Sequence, residues 1–132
     1  MLVDTHVLVD VLANDPQWAD WSIGQLRAQS RVHRLVINPV IYAELALTFS
    51  TVEALDAALD GMALQMLEIP RPALFLAGKA FAKCRKKGGL RHSVLSDFFI
   101  GAHAAVAGLP LLTRDVRRYA HYFPSVRLVA PP

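Results

Sequence analysis

The sequence lacks the features of several large protein classes. Its only cysteine, Cys84, excludes an intrachain disulfide and a cysteine-rich zinc site. No uncharged apolar run approaches the roughly 18 residues that a membrane-spanning helix needs, and no basic segment precedes an apolar one at the N-terminus. We therefore expect no membrane span, no signal peptide and a location in the cytoplasm.

Charge of one sign is missing from two parts of the chain. Residues 1–26 contain four aspartates and no lysine or arginine, whereas residues 79–91 contain six basic residues and no acid. Arg114, Arg117 and Arg118 form a second basic group. With a net charge of +3, such patches could attract a polyanion, although a solvated helix face would show the same pattern.

Short apolar runs alternate with helical stretches along the whole chain, which predicts an α/β fold. The 132 residues, 54% of them hydrophobic, suit a single domain covering residues 1–132. Five strands are predicted at 1–5, 35–37, 66–69, 110–113 and 126–129. Helices are predicted at 6–13, 16–30, 39–49, 51–63, 71–87, 94–107 and 116–122, the fifth ended by Gly88 and Gly89. Apolar strands that alternate with helices indicate a doubly wound, three-layer α/β/α domain with a mainly parallel sheet.

Two acids follow strands of this predicted sheet. Asp4 lies at the end of the first strand, and Asp115 lies just past the end of the fourth. In an open parallel sheet, functional groups gather at the carboxyl ends of the strands. We therefore expect these two acids, from opposite ends of the chain, to share one edge of the sheet.

Two further acids stand out because their surroundings are apolar. Glu44 is the only charged residue in 35–52, and Asp97 is the only formally charged residue in 92–113. Each lies on a predicted helix that is apolar nearly all round, and such a helix is expected to be packed on most sides. The carboxylates of these two helices are therefore candidate functional groups.

Each of these acids also has a structural explanation. Asp97 could complement the start of its helix, with Ser93 or Ser96 as the cap, and Asp115 could cap the helix that follows it. Glu44 could pair with a buried arginine. The first aspartate could accept backbone hydrogen bonds from the next turn.

Four carboxylates at one sheet edge would repel one another and raise each other's pKa. A hard divalent cation relieves this repulsion, and Mg²⁺ needs only one or two direct carboxylate ligands. The chemistry that follows is phosphodiester hydrolysis by a cation-activated water, with one ion or two. The basic segments would then hold the polyanionic substrate.

Four segments of the sequence resemble the motifs of PIN-domain ribonucleases, in order and with suitable spacing. They are VDTHVLVD, NPVIYAEL, DFFIGAHA and LLTRD. The VapC-type toxins of bacterial toxin–antitoxin pairs are the group that the chain resembles most, and RRYAHYFPSVRLVAP near the C-terminus is similar to that group too. The resemblance implies a parallel α/β/α domain, Mg²⁺- or Mn²⁺-dependent RNA cleavage, a homodimer and inhibition by an antitoxin protein.

The resemblance also implies roles for single residues. The acids of the family fall on Asp4, Glu44, Asp97 and Asp115, and we expect the first and third to contact the metal directly. The other two would orient waters or hold a second ion. The hydroxyls of Thr5 and Thr113 could steady a carboxylate or a water, and Arg114 is a candidate for substrate binding. His6 stands where the family commonly has asparagine.

Several conspicuous residues are left out of the predicted site. Asp10 lies about a turn and a half into the first helix and is assigned to solvent. His103 is interpreted as a packed or interface histidine, and Cys84 as inert. Trp18 and Trp21 are predicted to pack on one helix face, part of which could be an exposed patch for the antitoxin.

Three other functions are alternatives to the ribonuclease. A haloacid-type phosphatase needs a second aspartate at the position of His6. A dinucleotide-binding enzyme needs a glycine-rich turn after the first strand, and no glycine precedes Gly24. The third is a PIN-like module that binds RNA or protein without cutting, and the presence of all four acids argues against it.

Overall fold

The computed structural model describes residues 1–88 and 94–132. Its strands are β1 (Leu2–Val3), β2 (Val36–Ile37), β3 (Gln65–Met66), β4 (Leu111–Leu112) and β5 (Leu128–Val129). They form one sheet in the order β3-β2-β1-β4-β5, and every neighbouring pair is parallel. The predicted α/β class and the parallel five-stranded sheet are therefore confirmed.

Helices precede or follow each strand. They are α1 (Thr5–Leu12), α2 (Ala19–Ser30), α3 (Pro39–Ala46), α4 (Val52–Gly61), α5 (Arg71–Lys86), α6 (Leu95–Ala107) and α7 (Val116–Tyr122). No helix in the described part of the chain is both long and apolar enough to cross a membrane.

Capping side chains decide where several helices begin, and they correct the predicted bounds. Helix α1 begins at Thr5 and not at residue 6, because the Asp4 carboxylate caps it and accepts the backbone N–H of Thr5. The start of α2 is later than the predicted Pro16, because the Asp15 carboxylate holds residues 16–18 in a turn by accepting N–H groups of Gln17 and Trp18.

The strands are shorter than predicted, and β3 is displaced. It covers Gln65–Met66 instead of 66–69, and both of its residues are exposed at the edge of the sheet. The pairing with β2 continues past the end of β3, because the N–H of Leu67 donates to the Ile37 carbonyl oxygen at 2.8 Å. Helix α3 likewise ends at Ala46, three residues before the predicted end.

The central strands are buried on both faces of the sheet. Leu2 and Val3 of β1 and Leu111 and Leu112 of β4 have no exposed surface. Because successive side chains of a strand point to opposite faces, both faces must be covered by other elements. This burial accounts for the layered arrangement in which the helices pack against the sheet.

The order of the strands reverses at β1, and this positions the first and fourth strand ends side by side. From β1 the chain builds β2 and β3 on one side and β4 and β5 on the other. Val3 pairs with Leu112, so the residues that follow, Asp4 and Thr113, are adjacent across the sheet edge. The Asp4 N–H donates to Leu112 O at 2.9 Å. Such a reversal is the usual place for a ligand site in an open α/β sheet.

Helices α5 and α6 bring the third acid-bearing segment to the same edge. Helix α6 packs along α5 and also contacts α3. Gly88 at the end of α5 and Gly108 at the end of α6 have φ values of +78° and +65°, a left-handed conformation that glycine adopts without strain. Gly89, with which the end of α5 was also predicted, lies outside the described residues, as do Arg91 and Ser93.

Candidate active site

The first aspartate of the candidate site is buried at the end of β1. Asp4 is only 3% exposed. Its Oδ1 accepts the Thr5 N–H at 2.8 Å, and its Oδ2 accepts the Thr113 hydroxyl at 2.7 Å. The Asp115 N–H in turn donates to the Thr113 hydroxyl at 3.0 Å, which leaves the hydroxyl proton directed at Asp4. The two threonines therefore hold the carboxylate in one orientation.

The helical glutamate reaches the same edge from α3. Glu44 Oε1 accepts the Thr5 hydroxyl at 2.7 Å, and its Oε2 accepts the Ser96 hydroxyl at 3.4 Å. Among residues 1–88 and 94–132, these two hydroxyls are the hydrogen-bond partners of Glu44, and no arginine of those ranges pairs with it. The predicted alternative of a buried arginine partner is therefore not met by any described arginine. Ser96, offered as a cap for α6, instead contacts Glu44.

The remaining two acids share one arginine. Arg118 Nη1 lies 2.7 Å from Asp97 Oδ2 and 3.3 Å from Asp115 Oδ2. Asp97 also accepts the N–H of Val94 at 3.2 Å, and Asp115 caps α7 by accepting the Arg118 N–H at 3.2 Å. The predicted capping interpretations of both aspartates therefore hold alongside the ion pairs.

These contacts join the four carboxylates into one continuous chain of interactions. In order, the chain runs through Glu44, Thr5, Asp4, Thr113, Asp115, Arg118 and Asp97. Ser96 donates to Glu44 and is joined to Asp97 by a peptide bond, so the backbone closes this chain of interactions into a ring. The structure thus brings together acids that are up to 111 positions apart in the sequence, while their roles in catalysis stay predictions.

Burial and mutual repulsion disfavour the ionised forms of two of these acids. Desolvation raises the pKa of Asp4 to about 6, against the lowering effects of the Thr113 hydroxyl, His6 and the Thr5 N–H; the charge of Asp97 adds to the rise. The pKa of Asp97 is raised too, first by burial and further by the charges of Glu44 and Asp115.

Tyr119, which no sequence motif singles out, lies within range of the charges of all four acids. Tyr119 is buried, and its hydroxyl makes no hydrogen bond to any described residue. Desolvation raises its pKa well above the usual value, and the charges of all four acids add to this rise. Val116 lies three positions before Tyr119 and Phe123 four positions after it, an apolar helical spacing that is typical of a core position. No sequence signal therefore separates Tyr119 from an ordinary buried aromatic residue.

The donor set fits a hard divalent cation, although it is not arranged as a ready-made cage. Within residues 1–88 and 94–132, no group of three or more His, Cys, Asp or Glu side chains is placed to hold a metal ion. The available donors are carboxylate and hydroxyl oxygens, the ligands that Mg²⁺ prefers, and Mg²⁺ usually keeps several waters. The unpartnered Tyr119 hydroxyl supplies a further polar atom close to the acids.

The assignment of Asp10 to solvent is wrong. Asp10 is 2% exposed, and its carboxylate accepts two hydrogen bonds from Arg114, at 2.8 and 2.9 Å, and one from Ser22 at 2.8 Å. The criterion applied to Glu44 does not find Asp10, because Asp4 and Asp15 are near it in the sequence and the polar His6 and Asn14 lie four positions away on either side. The guanidinium of Arg114 also lies over the Trp18 ring, 4.9 Å from its centroid.

Arg114 is therefore anchored on one side and open on the other. It lines an open pocket of about 300 Å³ together with His6 and Asp115. Because Asp115 belongs to both this pocket and the ring of acids, the pocket adjoins the candidate active site. Substrate binding by Arg114 stays a prediction. The charge of its guanidinium is balanced by the carboxylate of Asp10.

Of the other conspicuous residues, His103 and Cys84 are buried, whereas Trp18 and Trp21 are only partly buried. His103 is buried, and its Nδ1 lies 3.2 Å from Asn38 Nδ2, as the predicted packed histidine requires; burial lowers its pKa. Cys84 is buried with its Sγ 3.0 Å from Tyr122 Oη. Trp18 and Trp21 meet edge to face at 6.2 Å, but Trp18 precedes the first residue of α2.

Solved structures of several bacterial complexes share this fold. The chain is similar to one in VapBC2 from Rickettsia felis bound to a DNA fragment from its promoter (19% identity, TM-score 0.74, 98% of this chain and 96% of that chain). It is similar to one in DNA-bound VapBC from Salmonella typhimurium (22%, 0.71, 98% and 96%). A toxin–antitoxin complex from Klebsiella pneumoniae is also similar (19%, 0.64, 99% and 97%).

Sequence comparison assigns the family. No curated protein is similar enough in sequence to be matched. A family model described as PIN domain matches residues 1–123, which include all four acids of the candidate site and the strands β1 to β4. The chain belongs to the PIN-domain family.

Proposed function

We propose that this protein is a metal-dependent endoribonuclease and the toxin component of a toxin–antitoxin pair. PIN domains generally use divalent metal ions, and toxins of the VapC type are nucleases, which supports a hydrolase at the level of the family. RNA as the substrate, Mg²⁺ or Mn²⁺ as the ion, and a cytoplasmic location are the finer parts of the proposal.

The single observation that carries the proposal is the ring of interactions through Glu44, Asp4, Asp115 and Asp97 at the point where the strand order reverses. An acid with a purely structural role needs only a hydrogen-bond or ion-pair partner of its own and gains nothing from three other acids nearby. Asp4 is buried and Asp97 is partly buried, both within range of the charge of other acids, and the pKa of each is raised, which costs folding free energy. Such a cost is typical of a site kept for function.

The residues would divide the chemistry as follows. Asp4 and Asp97 would hold the ion directly, while Glu44 and Asp115 would orient its waters or a second ion. The chemistry supplied by such an ion, when bound, is activation of a water and stabilisation of the charge that develops on the phosphate. Thr113 keeps Asp4 oriented through its 2.7 Å hydrogen bond, so the carboxylate loses little conformational freedom when it binds.

Exposed basic residues of α5 and the turn after it would hold the RNA backbone. The second half of α5 and the turn after it present a row of exposed cations: Lys79, Lys83, Arg85, Lys86 and Lys87. None of them is paired with an acid among the described residues, in contrast to Arg114 and Arg118. RNA binding should therefore weaken steeply as salt is raised, because each neutralised phosphate releases counterions.

An antitoxin partner is supported by the structural neighbours, which are complexes named VapBC or toxin–antitoxin complex. This chain also carries large apolar side chains on its surface, for example Leu47 at 87% and Phe75 at 69% exposure. Contact with an antitoxin or with a second copy in a homodimer would remove such side chains from water.

The alternative function is a PIN-like module that binds RNA or protein without cutting. The pairing of Arg118 with Asp97 and Asp115 favours it, since a cation of the chain itself already neutralises part of the acid cluster. The two functions differ in what happens to bound RNA, and one variant separates them.

The test is incubation of end-labelled total RNA with purified protein, with Mg²⁺, Mn²⁺ or EDTA, followed by mapping of the new ends. We expect cleavage by the wild type with metal only, none by Asp4→Asn, and wild-type cleavage by Asp60→Asn, which alters an exposed aspartate outside the site. RNA binding should survive in Asp4→Asn. Equal cleavage by Asp4→Asn and the wild type would refute the site, and binding without cleavage by any protein would favour the binding module.

A further inference from the structure

A cation of the chain itself already occupies part of the acid cluster. Arg118 Nη1 contacts Asp97 at 2.7 Å and Asp115 at 3.3 Å, and the arginine side chain is only 20% exposed. Its Nε is buried and makes no hydrogen bond to any residue in the described ranges. The guanidinium is therefore held by charge, through one nitrogen, between two carboxylates of the candidate metal site.

The local fold directs Arg118 to this place. Asp115 caps α7 by accepting the backbone N–H of Arg118 at 3.2 Å, so Asp115 and Arg118 lie on the same side of the first turn. Arg117, one position earlier, is exposed and has no acidic partner among the described residues. Two adjacent arginines of one basic segment thus have different surroundings, which only the start of the helix decides.

We propose that Arg118 is the resident counter-ion of the acid cluster, and that a divalent cation binds there only by displacing its guanidinium from Asp97 and Asp115. This rests on the proposed function, because it takes these carboxylates to be a metal site. Without metal, the guanidinium offsets the repulsion among the acids. A divalent ion brings twice the charge to the same oxygens and repels the guanidinium, whose long side chain reaches solvent.

The same arrangement explains why the acids do not form a ready metal cage. Asp97 Oδ2 already accepts from both Val94 N–H and Arg118 Nη1, so one of its two oxygens has both lone pairs in use. Release of Arg118 frees this oxygen and the facing oxygen of Asp115 at once. The ion pairs of Arg118 with Asp97 and Asp115 must break before metal binds, and this lowers the apparent affinity for metal. The same ion pairs stabilise the metal-free protein.

Manganese titration tests this directly. We would measure the affinity of Mn²⁺ by the loss of its free electron paramagnetic resonance signal, for the wild type, Arg118→Gln and the matched control Arg117→Gln. Breaking a half-buried ion pair is expected to tighten Mn²⁺ binding by about five- to tenfold in Arg118→Gln and to change it less than about twofold in Arg117→Gln. Without metal, Arg118→Gln should melt at a lower temperature than the wild type, and saturating Mn²⁺ should remove that difference.

A second measurement on the wild type covers the case in which Arg118→Gln does not fold. Addition of diamagnetic Mg²⁺ should shift the side-chain nitrogen resonances of Arg118, assigned by their absence in Arg118→Lys, towards those of a solvated arginine. An unshifted Arg118, or equal or weaker Mn²⁺ binding by Arg118→Gln, would overturn the counter-ion role alone and would favour a direct role of Arg118 towards substrate phosphate. Absence of Mn²⁺ binding by all the proteins would overturn both the counter-ion role and the proposed metal-dependent function.

Discussion

Replacement of Asp4 by asparagine should stabilise the metal-free protein. Asp4 is 3% exposed, and burial raises its pKa from 3.8 to about 6. Because the pKa is higher in the folded state, folding favours the protonated carboxyl, and the free energy of unfolding falls as the pH rises from 3.8 through about 6. The rise of about two pKa units corresponds to a loss of about 3 kcal/mol at neutral pH.

Asparagine keeps the shape of this side chain and removes its charge, so that loss disappears. Its carbonyl oxygen can still accept the Thr5 N–H, but its amide cannot accept the Thr113 hydroxyl that now donates at 2.7 Å. The lost hydrogen bond costs about 1 kcal/mol. The net gain is therefore about 2 kcal/mol above pH 7, or a rise in Tm of roughly 6–10 °C for a domain of this size.

Thermal unfolding followed by circular dichroism, in EDTA, from about pH 4 to about pH 7.5, measures this effect. The difference in Tm between Asp4→Asn and the wild type should be near zero or slightly negative at the acid end and grow as the pH passes through about 6. Asp60→Asn, at an exposed position, should show no such growth. A lower Tm of Asp4→Asn at neutral pH would refute the view that its burial as an anion costs stability. A more stable variant that no longer cuts RNA would also exclude misfolding as the cause of inactivity.

Two further predictions concern packing around the site. Asp10→Asn leaves the guanidinium of Arg114 without its charged partner and should lower the free energy of unfolding by about 2–3 kcal/mol in urea denaturation, whereas an unchanged midpoint would contradict the buried pair. Gly101→Ala places a Cβ against the buried ring of Phe123 and should cost about 1–3 kcal/mol. Gly24→Ala is the control, because its Cβ would meet nothing within 4 Å, and thermal denaturation should show it to be neutral or slightly stabilising. Equal losses of stability in the two variants would show that the close approach of the Phe123 ring to α6 is unimportant.

The sequence predicted the succession of strands and helices along the chain well and the ends of these elements poorly. Apolar runs alternating with helices predicted the α/β class, because a parallel sheet needs helical crossovers and buried strands. The first helix nevertheless begins at Thr5, since the Asp4 carboxylate accepts its N–H and starts the helix one residue early. Capping contacts of this kind shift the end of an element by one or two residues. The hydrophobic periodicity of the sequence does not resolve differences that small.

The sequence alone determined which acids are candidates for the site and at which elements they enter it. Aspartates placed after apolar strands must meet at one edge of a parallel sheet, and isolated acids on apolar helices must turn towards something polar. Only the tertiary structure decided which cation meets which acid. Arg114 pairs with Asp10, 104 positions away, and Arg118 pairs with Asp97, whereas Arg117 of the same basic segment pairs with no acid among the described residues. The physical reason is that strand and helix patterns act over a few residues, whereas an ion pair depends on distances that are set only when the sheet has formed.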